Sequence, residues 1–237
     1  MAALGFAVVG CASPKSGYVF LTQAPGGLVT GPDRAVFHLS AGLSDAELPD
    51  FAAGEAPGVA LLAAEGGCFS VDLTGPTRAA FPLGTVEARV DGRPIVSDEG
   101  VDAVYEVDFD EVLIAAGDSV TLSFDGSDVV SAAVATMTQP AELPATIPER
   151  VARDEELTIT WPSDLDADVM ELRLSNVICD APVADGQITV SAAILGTVEP
   201  SRVLAQLIAS RETTVDVEGI QVLFRTGQAY IGFTTLE

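Results

Sequence analysis

The sequence predicts an all-β protein made of two tandem immunoglobulin-like antiparallel β-sandwich domains, with one short helix in the second. Three observations lead to this fold class. Apolar and polar residues alternate along most of the chain, which is the period of a strand with one buried face. Turn signals such as Asp91-Gly92 and Asp185-Gly186 separate these segments at the spacing of a sandwich. Hydrophobic residues make up 48% of 237 residues, enough for packed cores.

The first predicted domain spans residues 18–138. In residues 34–39, for example, Ala35, Phe37 and Leu39 fall on one face, so this strand should bury that face. Tight turns at Gly117-Asp118 and Asp125-Gly126 bound a later strand. The predicted strands of this domain are 18–22, 34–39, 68–73, 85–90, 104–109, 112–114, 119–124 and 129–138.

A proline-rich linker is predicted at residues 139–148, where three prolines at four-residue spacing favour a stiff, extended connection. The second predicted domain follows over residues 149–237. Its helix is expected at 202–208, with Ser201 as the N-terminal cap, and a second short turn is expected at 192–195. Its predicted strands are 156–161, 169–174, 176–179, 187–190, 215–217, 220–224 and 230–233.

Residues 1–17 are predicted to be a lipoprotein signal remnant and tether. An apolar run ends in Val8-Val9-Gly10-Cys11, which resembles a bacterial lipobox, and residues 12–17 that follow are polar and rich in chain breakers. Lipidation of Cys11 would attach the chain to a membrane, because two or three acyl chains give stable anchoring. The alternative is a buried N-terminal strand that contains an ordinary cysteine.

The charge balance restricts the partners of the protein. Asp plus Glu number 35 against 11 Lys plus Arg, a formal net charge of −24. Such a surface repels phosphate backbones, so we expect no nucleic-acid partner. It also repels anionic lipid headgroups, so membrane attachment would depend on the lipid anchor.

Two other cysteines, Cys68 and Cys179, leave the disulfide state open. An exported protein tends to pair its thiols, and two cysteines remain once Cys11 carries a lipid. However, the two lie in different predicted domains, and both are flanked by strand-like sequence. A disulfide between them and a pair of buried free thiols are therefore equally good interpretations.

An acidic loop offers a weak calcium candidate. Asp164, Asp166 and Asp168 stand on alternate residues, so their carboxylates could converge on one hard cation. An EF-hand is excluded because Val169 stands where that loop needs glycine and Ser175 where it needs glutamate. Calcium is thus the one possible cofactor, and a solvated turn between two strands is the alternative.

Trp161, the only tryptophan, is a weak candidate for ligand binding. A lone tryptophan in a sandwich usually belongs to the core, but an exposed ring could stack on a sugar or anchor a partner. The sole histidine, His38, lies upstream of the Gly117-Asp118-Ser119 segment, so a hydrolase that needs a late histidine base does not fit. We therefore predict no catalytic residues and no enzyme activity.

Two segments carry a resemblance to a known group of proteins. "LTITWPSDLDADVMELRLSNVICDAPVADGQITVSAAIL" and "AAGDSVTLSFDGSDVVSAAVATMTQP" resemble uncharacterised bacterial surface lipoproteins with tandem immunoglobulin-like domains. The resemblance implies export, a lipid anchor and a place in the cell envelope, on its periplasmic or extracellular face. We expect a structural or adhesive role with a protein or glycan partner. The alternative is a carbohydrate- or calcium-dependent recognition module.

Overall fold

A computed structural model describes residues 14–25, 34–44, 60–72, 81–100, 103, 105–198 and 201–237. The predicted all-β class is confirmed, because strands dominate these residues. The strands are β1 Ser16–Pro25, β2 Arg34–Ser44, β3 Ala60–Glu65, β4 Cys68–Asp72, β5 Val86–Val90, β6 Arg93–Asp98, β7 Tyr105–Val112, β8 Ser119–Phe124, β9 Ala133–Thr138, β10 Arg150–Val151, β11 Leu157–Thr160, β12 Val169–Leu174, β13 Val177–Pro182, β14 Gln187–Val190, β15 Arg202–Val217 and β16 Ile220–Leu236.

One ten-stranded sheet runs through the molecule in the order β3-β4-β13-β12-β15-β16-β1-β2-β7, with β10 added beside β16. The pairs β1–β16 and β10–β16 are parallel, and the other pairs in this sheet are antiparallel. A four-stranded sheet, β6-β5-β8-β9, and a two-stranded sheet, β11-β14, complete the β-structure of the described residues. The large sheet therefore contributes strands to both hydrophobic cores.

The hairpin of β15 and β16 is the longest feature of this sheet. Its strands have 16 and 17 residues and pair along their whole length, from Arg202 opposite Thr235 to Val217 opposite Ile220. The turn between them places Glu218 and Gly219 at positive φ, and the Gly219 N–H donates to Asp216 Oδ1 at 2.9 Å. A two-residue turn of this handedness matches the twist of the strands that it joins.

The first core lies between one half of the large sheet and the four-stranded sheet. Phe37, Leu21 and Phe224 from the large sheet are fully buried there with Leu122 of β8. Phe124 of β8 stacks on Phe224 of β16 with ring centroids 6.1 Å apart, which joins the two layers directly. Burial of large apolar side chains contributes roughly 1.5–3 kcal/mol each.

The second core lies between the other half of the large sheet and a smaller cover. The cover consists of β11, β14 and the short helix Ala192–Leu195, in which Ser191 Oγ accepts the Ile194 N–H at 3.4 Å. Met170 and Leu172 of β12 are fully buried against this cover. Leu143 and Ile147 of the proline-rich segment 139–148 also pack into it, so that segment contributes to the second core.

Both cores use residues from each side of segment 139–148. Cys68 belongs to the second core, whereas Val217 and Phe224 belong to the first. The cores therefore do not coincide with the two stretches of chain, 18–138 and 149–237, that the sequence suggested as separate units. The cause is long-range strand pairing, because β4 joins β13 and β1 joins β16.

The prediction of a helix at 202–208 is wrong, because these residues form the first half of β15. Val203, Ala205, Leu207 and Ala209 are all buried in the second core, so a two-residue period operates there. The helix of the second unit lies at Ala192–Leu195, where only a short turn was expected. No helix among the described residues is both long and apolar enough to span a membrane.

A buried polar belt separates the two cores on the inner face of the large sheet, the face that carries both of them. It consists of Gln23, Gln139, Thr226 and Gln228, each at most 3% exposed. Gln23 donates from Nε2 to Gln228 Oε1 at 2.6 Å and to the Ile114 carbonyl at 2.9 Å. Thr226 Oγ1 donates to Gln139 Oε1 at 2.7 Å. These bonds satisfy the amides inside the protein.

Candidate functional site

A charge cluster lies on the outer face of the large sheet, opposite the cores. It consists of Glu171 and Arg173 of β12, Asp180 of β13, Glu212 of β15 and Arg225 of β16. Cross-strand pairing brings these residues together, since Glu171 stands opposite Asp180 and Glu212 stands opposite Arg225. Their neighbours Met170, Leu172 and Phe224 point to the inner face, so alternation alone places the charges here.

Arg225 is the centre of this cluster. Its Nη1 donates to Glu171 Oε2 and its Nη2 to Glu212 Oε2, both at 2.8 Å. Arg173 donates from Nε to the other oxygen of Glu171. The Arg225 guanidinium also lies over the ring of Phe20, 5.1 Å from its centroid. Because the side chains of Arg225 and Glu171 are 8% and 4% exposed, water screens this ion pair little.

Asp180 differs from the other two carboxyl groups. Both of its oxygens are buried and have no hydrogen-bond partner. Burial, and then the neighbouring charge of Glu171, raise the pKa of Asp180 to about 7 against the opposing effect of Arg225. Burial lowers the pKa of Arg225, but Glu171, Asp180 and Glu212 together raise it above its ordinary value. The cluster can therefore hold a proton on Asp180 while the Arg225 guanidinium stays charged.

Asp166 and Asp168 of the calcium candidate are engaged by an arginine. Arg211 donates from Nη1 to Asp168 Oδ1 at 2.9 Å and from Nη2 to Asp166 Oδ1. The second oxygen of Asp168 accepts the Glu212 N–H at 3.0 Å, and Asp164 is exposed. A guanidinium thus neutralises two of the three carboxylates. In the described part of the chain no group of three or more His, Cys, Asp or Glu side chains is arranged to hold a metal ion.

Trp161 lies in the second core and is 6% exposed. Its indole Nε1 donates to the Val183 carbonyl at 2.8 Å, which satisfies its one polar atom. The ring is therefore a core side chain, and the structure does not present it as a surface on which a sugar could stack.

Cys68 and Cys179 form a disulfide between β4 and β13, with an S–S distance of 2.06 Å. The antiparallel register places the two residues directly opposite one another, with Cα atoms 4.0 Å apart. The pairing of the large sheet, which the sequence did not reveal, brings them together. Cys11, the predicted lipidation site, lies outside the described residues, as do residues 1–13 in general.

His38 lies on the outer face beside the acidic edge strand β7. Its Nδ1 is 2.8 Å from Asp108 Oδ1, and its Nε2 is 4.0 Å from Glu106 Oε1. The carboxylates of Glu106 and Asp108 are well exposed. Exposed ion pairs of this kind contribute little, typically about 0–1 kcal/mol.

An open groove of about 480 Å³ runs along the two-stranded sheet. Three exposed carboxylates line it, together with small polar groups, and Ser191 Oγ donates to Glu65 Oε2 at 2.6 Å. The groove adds a local negative potential to a protein that is already strongly acidic. Its lining residues are Glu65, Gly66, Glu156, Asp185, Gln187, Thr189 and Ser191.

An exposed apolar patch interrupts the polar surface near the open end of the β15–β16 hairpin. Leu204 and Phe233 stand opposite one another, Phe233 is 55% exposed, and Ile231 extends the patch on the same face. The Arg202 guanidinium lies over the Phe233 ring, 4.7 Å from its centroid. Apolar groups that cluster on a surface in this way are typical of places where partners bind.

Sequence reasoning missed the charge cluster. Glu171 and Arg225 occupy the alternate positions that a two-sided strand normally turns toward water, so the pattern alone assigns them to the surface. An available signal was the central position of Glu171 in "VMELRL", where a polar side chain lies amid large apolar ones. No protein-family model matches this chain, and no curated protein matches it either.

Proposed function

We propose that the chain is an exported protein of the cell envelope, attached to a membrane through a lipid on Cys11. In this proposal it acts as a structural or adhesive module built from two immunoglobulin-like sandwiches. The disulfide between Cys68 and Cys179 is the observation that carries the proposal. Structural disulfides persist in oxidising compartments and are rare in the cytosol of mesophiles.

The position of the disulfide supports a structural role for it. It closes a loop with a sequence separation of 111 residues and links β4 to β13 inside the second core. In the chain-entropy treatment, a loop of about 100 residues gives roughly 4.7 kcal/mol of stabilisation. A protein that depends on such a bond needs a compartment in which the bond stays oxidised.

The surface supports a role in binding to a protein partner. The formal net charge of −24 keeps copies of the chain apart and favours basic partners. The apolar patch of Leu204, Ile231 and Phe233 offers an exposed apolar contact area on this acidic background. In this proposal the two sandwiches form a scaffold that displays such surfaces outside the cell.

The proposal is tested by mass spectrometry of the full-length protein extracted from the membranes of its own cell. We expect cleavage before Cys11 and the added mass of a diacylglycerol, with or without a third acyl chain, on that residue. A Cys11→Ser variant should lose this mass and leave the membrane fraction, whereas a Ser13→Ala variant should keep both. An unmodified Cys11 in the membrane fraction would show that the anchor is wrong.

A further inference from the structure

We propose that Asp180 is a proton-binding site that makes the pairing of β12 with β13 depend on pH. In mildly acidic solution the carboxyl group is protonated and the strands pair without charge repulsion. At higher pH the carboxylate forms and repels Glu171, which stands directly opposite it in the register. This inference concerns the large sheet itself and does not depend on the lipid anchor or on the adhesive role.

The register is the first argument. Residues directly opposite in antiparallel strands have Cβ atoms about 4.5–5.5 Å apart, and like charges in that position are destabilising. Glu171 and Asp180 are such a pair, and both are on the outer face. Glu171 is 3% exposed and both oxygens of Asp180 are buried, so water cannot screen a second negative charge.

The second argument is that the guanidinium hydrogen bonds of the cluster go to the other two carboxylates and none reaches Asp180, although Arg225 Nε has no partner. Arg225 donates to Glu171 and to Glu212, and Arg173 donates to Glu171. Asp180 accepts no hydrogen bond at either oxygen. Three carboxylates and two guanidinium groups would leave one uncompensated negative charge in a buried site. Protonation of Asp180 removes that charge.

Four charged groups face Asp180 from the elements around it. They are Glu171 and Arg173 of β12, Glu212 of β15 and Arg225 of β16. On its other side, the Asp180 backbone N–H donates to the carbonyl of Gly67, a residue without a side chain. Burial is the largest cause of the raised pKa of Asp180, Glu171 and Glu212 raise it further, and the two arginines lower it.

The sign of the pH effect follows from this direction. The pKa of Asp180 rises from an ordinary 3.8 to about 7 in the folded protein. Between these values the folded chain binds a proton that the unfolded chain has lost, so stability falls as pH rises. The loss is complete above the folded pKa. The disulfide at the adjacent Cys179 still holds β13 to β4. Ionisation of Asp180 therefore weakens the pairing of β13 with β12.

The experiment is urea unfolding of the full chain at pH values from 5 to 8, with Asp180→Asn and Asp185→Asn variants. Asp185→Asn is the matched control, because it makes the same substitution at an exposed position. Relative to Asp180→Asn, the folded-to-unfolded ratio of the wild type should fall by up to about tenfold per pH unit between pH 5 and 7. Asp185→Asn should follow the wild type. Parallel curves for the wild type and Asp180→Asn would overturn the proposal.

A measurement on the wild type keeps the proposal testable if Asp180→Asn does not fold. Carbon-13 NMR of protein labelled at the aspartate carboxyl groups should show one resonance that titrates far above the others, with a midpoint near neutral pH. Amide hydrogen exchange in β13 should accelerate across the same pH range by more than the intrinsic pH dependence. If every aspartate resonance titrates below pH 5, Asp180 is an ordinary carboxylate and the proposal is wrong.

Discussion

Two buried polar groups lie on opposite faces of the large sheet at β16, and they differ in how their polar atoms are satisfied. The belt on the inner face consists of neutral side chains. Their hydrogen bonds go to one another and to buried backbone carbonyls. The charge cluster on the outer face consists of ions, and Asp180 has no partner in it. Arg225 and Thr226 are consecutive residues, so one step along the chain separates the two groups.

The difference shows two uses of buried polarity. A hydrogen-bonded amide belt carries no charge, so it can divide two apolar cores under any physiological condition. A buried ion cluster is stable only while its charges balance, and its balance depends on the protons that it holds. The belt therefore defines the architecture, and the cluster makes part of that architecture responsive to pH.

The largest expected effect comes from removing the centre of the cluster. Arg225→Met leaves Glu171 and Glu212 without the guanidinium that both bind, and Glu171 is almost fully buried. Breaking a buried pair on one side costs about 3–5 kcal/mol. Arg173→Met is the control, because this side chain is 41% exposed and should cost less than about 1 kcal/mol. Urea unfolding measures the loss of stability in both variants. Equal losses would show that Arg225 contributes no more to the cluster than Arg173 does.

An intermediate effect is expected in the belt. Gln23→Leu removes the acceptor of the Ile114 N–H and the donor to the Ile114 carbonyl, both buried. Leaving buried backbone groups unpaired costs about 1–3 kcal/mol each. The loss should be the same at pH 5 and pH 8, since no ionisable group is involved. A pH-dependent loss would show that the belt and the cluster are coupled. The control Gln187→Leu, at an exposed position, should change stability by less than about 0.5 kcal/mol.

The smallest effect on stability is expected at the acidic loop. Arg211→Met releases Asp166 and Asp168 at a cost of about 1 kcal/mol or less, because the two carboxylates are 69% and 43% exposed. If the loop binds calcium at all, the variant should bind it more tightly than the wild type, because the cation no longer competes with a guanidinium for the oxygens of Asp166 and Asp168. Calorimetric titration with calcium measures this. Equal affinities would show that Arg211 does not block the loop.

Much of the strand pattern could be predicted from local sequence. The bounds of β8, β12 and β14 match their predictions, because each alternates cleanly between turn residues. The prediction of a helix at residues 202–208 is wrong, because small and apolar residues there satisfy a helical face as well as a strand face. Pairing with β16 over all 16 residues of β15, and with β12 over six of them, decides in favour of the strand. Tertiary contacts of this kind are invisible to a local period.

The charge cluster could not be predicted, because its members come from four strands. No short segment of the sequence indicates the order of these strands in the sheet. The same reason left the pairing of Cys68 with Cys179 undecided, since the two residues meet only when β4 joins β13. The sequence predicted that Asp164, Asp166 and Asp168 could converge on a cation, and in the structure Asp166 and Asp168 bind a guanidinium. Their partner, Arg211, lies more than 40 residues away in sequence and gave no local signal.

The parallel pairing of β1 with β16 has a mechanical consequence. Eight residue pairs, from Ser16 with Gln221 to Gln23 with Gln228, join the first described strand to the last. Tension applied between the start of β1 and the end of β16 pulls these strands past each other along their length. The hydrogen bonds between them then resist the force together rather than opening one at a time. If the chain were held at one end on a cell and pulled at the other, the β1–β16 pairing would resist the force.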